Sequence, residues 1–162
     1  MAAEVSASTA DRPPAYLAGL HLTGRRVVVV GGGRVAARRI PPLLESGADL
    51  VVVSPRVEPS IEALARAQHV AWLARDYAAG DLEGAWYALA ATDSPSVNTR
   101  VVAEAEAARV FCVRADDGSA GLAVTPATAR RGAVQLAVLS GGDFRQSRRL
   151  RDELATHLPP SR

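Results

Sequence analysis

Three consecutive glycines, Gly31, Gly32 and Gly33, have the residue type and spacing of a phosphate-binding loop. Together with Ala36 they fit the pattern G-x-G-x-x-A, whose first glycine permits a tight turn and whose second lets a pyrophosphate approach the backbone. The free N–H groups and the positive dipole end of a following helix would then face the phosphates. The loop therefore predicts dinucleotide binding, against the alternative of a glycine-rich turn in another α/β protein.

The segments on either side of the glycines predict the elements that hold them in place. Residues 27–30 are four valines, which is typical of a strand buried on both faces inside a parallel sheet. A helical pattern begins at Val35, and a second apolar run at 49–53 completes a β-α-β unit. The proline pair at 41–42 predicts a kink or a local irregularity in that helix. Further helices and strands are predicted at 59–68, 69–73, 85–91, 95–108 and 110–113.

The alternation of five strands with helices predicts an α/β fold, a Rossmann-like doubly wound parallel sheet. Ligands bind such sheets at the carboxyl ends of the strands, near the point where the strand order reverses. Four segments leave those ends, and we expect them to line one crevice: 31–35, 54–56, 91–93 and 114–117.

A different pattern follows Gly118 and predicts a small C-terminal α+β element. Two strands, 122–125 and 134–139, are joined by a segment too short for a crossover helix, so we expect an antiparallel pair. A strongly charged helix is predicted over 144–158. Because two strands and one helix bury too little surface to be stable alone, they are expected to pack against the sheet or a second copy of the chain.

The composition excludes several classes of protein. A net charge of +2 does not suggest a nucleic-acid binder, and no apolar run approaches the ~18 residues of a membrane span. Cys112 is the only cysteine and the first residues lack a secretory pattern, so a cytoplasmic location is predicted. All 19 basic residues are arginines, which excludes a lysine Schiff base. Arginines are concentrated in the last third of the chain. They are expected either to form a solvated helix face or to bind a polyanion.

The residues after the second strand depart from the usual dinucleotide-binding fingerprint. An acidic residue normally ends this strand and binds the ribose 2′-hydroxyl. Here the chain has Ser54, Pro55 and Arg56 instead. Ser54 could hydrogen-bond a hydroxyl, whereas Arg56 could pair with a 2′-phosphate, so these residues leave the choice between NAD and NADP open.

Several motifs, beginning with the glycine loop, follow one another along the chain in a recognisable order. They are residues 31–38, 44–48, 53–55, 90–93 with 97–98, 111–112 followed by Asp116, 131–132 and 140–142. In this order and spacing they resemble the dehydrogenase part of siroheme synthase, the precorrin-2 dehydrogenase/sirohydrochlorin ferrochelatase family. The resemblance runs from about Leu17 to Leu154 and is far more specific than the glycine loop alone.

The resemblance implies NAD-dependent oxidation of precorrin-2 to sirohydrochlorin by a homodimer, sometimes followed by insertion of ferrous iron. It implies that Asp116 is the catalytic residue and would also contact the metal if iron is inserted; no other metal ligand is expected. Expected cofactor contacts are Gly31, Gly32, Gly33, Arg34, Val35, Ser54, Pro55, Arg56, Ala91 and Thr92. Ser140, Arg130 and Arg131 are expected to bind the polycarboxylate substrate, although a turn or cap role is an equal alternative for Ser140.

The same motifs predict a domain organisation for the chain. Its expected segments are a disordered leader at 1–14, an NAD-binding Rossmann domain at 15–117, a dimerisation and substrate element at 118–158, and a tail at 159–162. Two departures from the family pattern, Val113 and residues 143–146, lie in the expected substrate half. They leave iron insertion open, and they support an alternative function as a non-catalytic NAD-binding or dimerising partner of a separate methyltransferase or chelatase.

Overall fold

A computed structural model describes residues 13–159 of the chain. The described residues divide into two compact units, one of residues 17–124 and the other of residues 125–159 together with 13–16. Almost all of the predicted leader at 1–14 and of the tail at 159–162 lies outside the described residues. The predicted boundary at 117/118, between an NAD-binding domain and a dimerisation and substrate element, stays a prediction. The compact unit that contains the sheet extends to Val124.

The unit of residues 17–124 contains a five-stranded parallel sheet with helices between its strands. In chain order its elements are β1 (Arg26–Val30), α1 (Arg34–Glu45), β2 (Asp49–Val53), α2 (Pro59–Arg66), β3 (Ala71–Leu73), β4 (Tyr87–Ala90), α3 (Pro95–Ala108) and β5 (Phe111–Arg114). The strand order is β3-β2-β1-β4-β5, and every neighbouring pair is parallel. The order reverses between β1 and β4. This confirms the predicted Rossmann-like fold.

Alternate residues of the central strands point to opposite faces and form two hydrophobic cores. Val27 and Val29 pack on one face with Ile40 of α1 and Ile61 of α2. On the other face, a second cluster includes Val28, Val30, Ala88 and Ala90 of the strands with Val101 and Ala105 of α3. The four valines of β1 are at most 1% exposed. Burial on both faces explains why this strand is a continuous apolar run.

Two local predictions concern the helices; the N-cap is confirmed, whereas the kink at the two prolines stays a prediction. Helix α3 begins at Pro95 after Ser94, whose hydroxyl accepts a hydrogen bond from the N–H of Val97 at 3.4 Å, as an N-cap residue should. Helix α1 continues through Pro41 and Pro42 as far as Glu45. Both prolines are exposed, so water can satisfy the carbonyl groups that lose a helical donor.

The second unit contains an antiparallel hairpin and one helix: β6 (Ala127–Arg131), β7 (Val134–Val138) and α4 (Phe144–Ala155). The predicted antiparallel pair and charged helix are thus confirmed, but the placement of the first strand at 122–125 was wrong. Gly132 has a φ of +58°, which suits a two-residue hairpin turn, so the strand is the segment directly before it. Leu122 and Ala123 instead donate their backbone N–H groups to the Cys112 carbonyl along the open edge of β5.

No helix within residues 13–159 is both long and apolar enough to cross a membrane.

Candidate functional site

The first two glycines of the loop are required by its packing. Gly31 has a φ of +109°, and a Cβ built on it would lie 2.3 Å from the carbonyl oxygen of Ala91 at the end of β4. A Cβ on Gly32 would lie 2.5 Å from the carbonyl oxygen of Arg56. Real Cβ atoms do not approach backbone atoms this closely, so any side chain at either position would force the loop away from the sheet.

The third glycine faces open space instead. Nothing lies within 4 Å of a Cβ built on Gly33, which is the N-cap of α1 and makes no side-chain capping bond. Arg34 and Val35, in the first turn of the helix, are exposed. The positive end of α1 and its free N–H groups are therefore open to an anion, and Gly33 leaves the backbone accessible. The residues present fit the pyrophosphate of a dinucleotide.

The segment after β2 lies beside this loop. Ser54 is only 7% exposed, and its hydroxyl donates a 2.6 Å hydrogen bond to the carbonyl oxygen of Arg56. The backbone N–H of Glu58 donates to the Gly32 carbonyl and ties the segment to the loop. Pro55 and Arg56 are exposed. The Ser54 hydroxyl thus has a structural partner, and Arg56 is the polar side chain that this segment presents to solvent.

A buried amide connects the ends of β4 and β5. Asn98 of α3 is fully buried, and its Oδ1 accepts hydrogen bonds from the backbone N–H of Thr92 at 3.1 Å and from the Thr92 hydroxyl at 2.7 Å. Its Nδ2 group donates to the Thr92 carbonyl at 3.0 Å and to Oδ1 of Asp116 at 2.8 Å. Because all its hydrogen-bonding capacity is used, Asn98 fixes the two strand ends relative to each other.

Asp116 also forms an ion pair with Arg114. Nε of Arg114 lies 3.0 Å from Oδ1 of Asp116, and its Nη2 lies 3.0 Å from Oδ2. The side chains of Arg114 and Asp116 are 12% and 30% exposed. Hydrogen bonding from Arg114, and to a smaller extent from Asn98, holds the pKa of Asp116 below its usual value.

A cavity of about 310 Å³ joins the helix start to this carboxylate. Its lining residues are Val35, Ala91, Thr92, Asp93, Pro95, Ala115 and Asp116. The cavity therefore brings together predicted cofactor contacts and the predicted catalytic residue. It lies at the carboxyl ends of β1, β4 and β5, where the strand order reverses. A larger cleft of about 660 Å³ runs along the amino ends of β2 and β3, from Asp49 to Trp72, and contains none of the predicted site residues.

The three predicted substrate-binding residues belong to the second unit. The Ser140 hydroxyl donates to the Asp143 carbonyl at 2.8 Å and lies 2.5 Å from the buried Ser147 hydroxyl, so it orders the turn before α4. Arg131 donates from Nη1 to the Leu158 carbonyl at 2.5 Å. Nε of Arg130 donates to the Gly132 carbonyl at 3.0 Å. All three side chains thus have structural partners within this unit.

Two residues of the site, Asn98 and Arg114, were not assigned by the sequence. The sequence did contain an indication of the role of Asn98. It lies on the same apolar face of α3 as Val101, and a buried amide needs polar partners. Arg114 lies in one of the strand-end segments expected to line the crevice. Nothing in the sequence indicated that its partner would be the predicted catalytic carboxylate.

The parallel sheet, the glycine loop at its switch point and the open helix start define a dinucleotide-binding protein. A family model described as "Putative NAD(P)-binding" matches residues 18–127, and the chain belongs to this family. The match supports NAD as the cofactor.

Two similar proteins are siroheme synthases. The chain is 37% identical to siroheme synthase 3 of Aeromonas hydrophila over 139 residues, which is 85% of this chain and 30% of the relative. It is 41% identical to a siroheme synthase of Pseudomonas putida over 146 residues, or 89% of this chain and 32% of the relative. The chain thus spans about a third of the length of these relatives.

A solved structure is also similar. The structure titled "SirC, precorrin-2 dehydrogenase" superposes with a TM-score of 0.78 at 28% identity, covering 90% of this chain and 72% of that one. These findings confirm the resemblance to the siroheme synthase N-terminal domain family.

Proposed function

We propose that this chain is a precorrin-2 dehydrogenase, which oxidises precorrin-2 to sirohydrochlorin with NAD. The observation that carries the proposal is the cavity in which the carboxylate of Asp116 lies beside Val35, at the open start of α1. The relatives support the substrate, since both siroheme synthases and SirC carry names from this pathway. A catalytic carboxylate at the cofactor cradle is the arrangement that such an oxidation needs.

The proposed reaction removes one hydride and one proton from the macrocycle. When bound, NAD supplies the hydride acceptor and becomes NADH. The backbone of Gly33 and the start of α1 bind the pyrophosphate, while Thr92 and Val35 shape the cavity beside Asp116. Asp116 is ionised at neutral pH, as an aspartate ordinarily is, and Arg114 lowers its pKa further, so its carboxylate is in the form that accepts the proton. Substrate-carboxylate binding by Ser140, Arg130 and Arg131 stays a prediction from the family resemblance, since each side chain has a partner within the second unit.

The substitution Asp116→Asn tests this assignment. Asparagine has the same shape but cannot accept the proton, so turnover is expected to fall by a factor on the order of 100 or more. NAD affinity should stay close to that of the parent protein. The measurement is NADH formation and the sirohydrochlorin absorption spectrum after mixing precorrin-2 with NAD.

The matched control is Asp117→Asn. The carboxylate of Asp117 accepts hydrogen bonds from the N–H and the hydroxyl of Ser119, outside the Asp116 network. This variant should retain turnover. Full activity in Asp116→Asn would contradict the catalytic role, and no turnover by the parent protein with intact NAD binding would contradict the proposed reaction.

One observation favours the alternative of a non-catalytic module. Both oxygens of Asp116 already accept hydrogen bonds from Arg114 or Asn98. In that case the chain would bind NAD as a partner of a separate methyltransferase or chelatase. Tight NAD binding without NADH formation, together with co-purification of such an enzyme, would favour this function over the dehydrogenase.

Iron insertion is a further activity that the family implies. Ferrous iron at Asp116 would compete with the hydrogen bonds from Arg114 and Asn98, and residues 13–159 contain no group of three or more His, Cys, Asp or Glu side chains placed to hold a metal ion. We therefore propose oxidation rather than chelation as the reaction at this site. Incubation of the protein with sirohydrochlorin and ferrous iron, followed by siroheme absorption, tests this.

We also propose that two copies associate through the second unit. Val134, Phe144 and Leu154 in this unit are 40%, 56% and 45% exposed, and association with a second copy would bury such side chains. Sedimentation velocity should therefore give a dimer at micromolar concentration, and Phe144→Asp should shift it to a monomer while NAD binding persists. A monomeric parent protein would contradict the proposal.

A further inference from the structure

We propose that Arg114 is a positioning residue, which fixes the carboxylate of Asp116 at the cavity wall through a bidentate contact. The inference rests on the proposed function for its catalytic meaning. The contact between Arg114 and Asp116, called here the Arg114 clamp, exists in the protein without cofactor or substrate. It can therefore be tested without turnover.

The contact between the two side chains has a defined geometry. Nε and Nη2 of Arg114 donate to different oxygens of Asp116, each at 3.0 Å, which makes a bidentate pair. Asn98 adds a third donor to Oδ1 from the α3 side at 2.8 Å. Three hydrogen bonds from two elements leave the carboxylate little freedom to rotate.

Arg114 is itself held in place by α3. Its Nη1 donates to the Thr99 hydroxyl at 3.0 Å, and its Nη2 approaches the Pro95 carbonyl at 3.4 Å. The Arg114 side chain is 12% exposed, whereas that of Asp116 is 30% exposed and lines the cavity. The guanidinium therefore serves as the fixed support, and the carboxylate is the partner that a ligand in the cavity can reach.

The charges around Asp116 determine what this support does. From β5 the carboxylate accepts from the Arg114 guanidinium, and from α3 it accepts from the neutral amide of Asn98. Asp93 also lines the cavity, and Asp117 is the next residue in the chain. Partial burial raises the pKa of Asp116, whereas the hydrogen bonds from Arg114 lower it. Arg114 thus offsets the effect of burial on this carboxylate.

The clamp has opposing effects on the proposed reaction. A fixed, ionised carboxylate is ready at neutral pH and is well oriented towards the cavity. A carboxylate that is stabilised by a bidentate cation is also a weaker base, because basicity falls with pKa. Removal of Arg114 should therefore raise the pKa of Asp116 and loosen its position, so the pH profile and the rate should change together.

The experiment follows the Asp116 carboxyl carbon by ¹³C NMR titration in the full chain without cofactor or substrate. The signal is assigned by its loss in Asp116→Asn. In Arg114→Met its midpoint should move to higher pH by about one unit. Arg114→Lys keeps the charge but not the bidentate geometry, so its midpoint should shift less. Thr99→Val removes one hydrogen-bond partner of Arg114 and should give the smallest shift of the three. The matched control is Arg100→Met, since Arg100 is an exposed arginine of α3, and it should leave the midpoint in place.

The second readout is turnover of precorrin-2 against pH. The acid limb of kcat should move to higher pH in Arg114→Met by the same amount as the NMR midpoint, with kcat at neutral pH reduced about tenfold and NAD affinity unchanged. An Asp116 midpoint that is the same in Arg114→Met as in the parent protein would overturn the inference, as would an acid limb that does not move. If no variant oxidises precorrin-2 but the NMR midpoint shifts as expected, the clamp stands and the proposed function fails.

Discussion

The two compact units of this chain differ in how they are stabilised. In residues 17–124 two hydrophobic clusters, one on each face of the sheet, bury side chains such as Ile40, Leu50 and Val101 almost completely. Among the described residues of the other unit only Ser147 is buried. There the hairpin and α4 are tied by hydrogen bonds such as the one from Arg151 to the Thr128 carbonyl, at 2.9 Å. Apolar burial is the larger source of stability, so the first unit is expected to supply a rigid site and the second an adaptable surface.

The largest expected effect comes from truncating a core side chain in the sheet unit. Ile40 of α1 is fully buried against β1, and Ile40→Ala should lower the free energy of unfolding by about 3 kcal/mol, since it leaves a cavity. The matched change in the second unit is Arg148→Ala, at an exposed side chain of α4. It should alter the free energy of unfolding by less than about 0.5 kcal/mol. Urea unfolding of both variants measures the difference, and equal losses would remove the contrast between the units.

A smaller effect is expected from adding a Cβ at a left-handed glycine. Gly31→Ala combines a φ of +109° with a contact of 2.3 Å to a backbone carbonyl, so we expect a loss of about 2 kcal/mol and weakened NAD binding. Gly141 in the second unit also has a positive φ, +59°, but nothing lies within 4 Å of its Cβ position. Gly141→Ala should cost about 1 kcal/mol and leave NAD affinity unchanged. Thermal unfolding and NAD titration separate the two variants, and equal NAD affinities in them would contradict the packing role of Gly31.

The sequence predicted those features that depend on neighbouring residues. The four valines of β1, the glycine loop and the Ser94–Pro95 start of α3 are local patterns, and each was found where expected. The hairpin strand was misplaced, because the position of the Gly132 turn, rather than the apolar run before it, sets which residues pair. A cytoplasmic location stays a prediction.

The site was predicted less completely than the fold, for a physical reason. Asp116 and Thr92 were proposed from a family resemblance, and the structure places both on one cavity. The contacts that fix them come from Asn98, 18 residues before Asp116, and from the fork geometry of Arg114. Such contacts depend on how α3 packs against β4 and β5, which neither spacing nor periodicity specifies.

The smallest expected effect concerns an ion pair in the sheet unit. Asp81 is 9% exposed, and both its oxygens accept hydrogen bonds from Arg75, at 2.6 and 2.8 Å. Arg75 lowers the pKa of Asp81. Because the folded pKa lies below the unfolded value of ~3.9, the pair stabilises the protein fully above pH ~4, and this contribution is lost as the pH falls through the folded pKa.

Asp81→Asn should therefore destabilise the protein at pH 7, and the gap to the parent protein should narrow as the pH falls below about 4. Urea unfolding between pH 2 and pH 7 measures this gap. The control in the second unit is Asp152→Asn, because the ion pair of Asp152 with Arg151 leaves its side chain 69% exposed and contributes little. Asparagine keeps an acceptor for the Ala78 N–H, so the variant mainly removes the charge. A gap of constant size across this range would therefore contradict a stabilising role for the charge of Asp81.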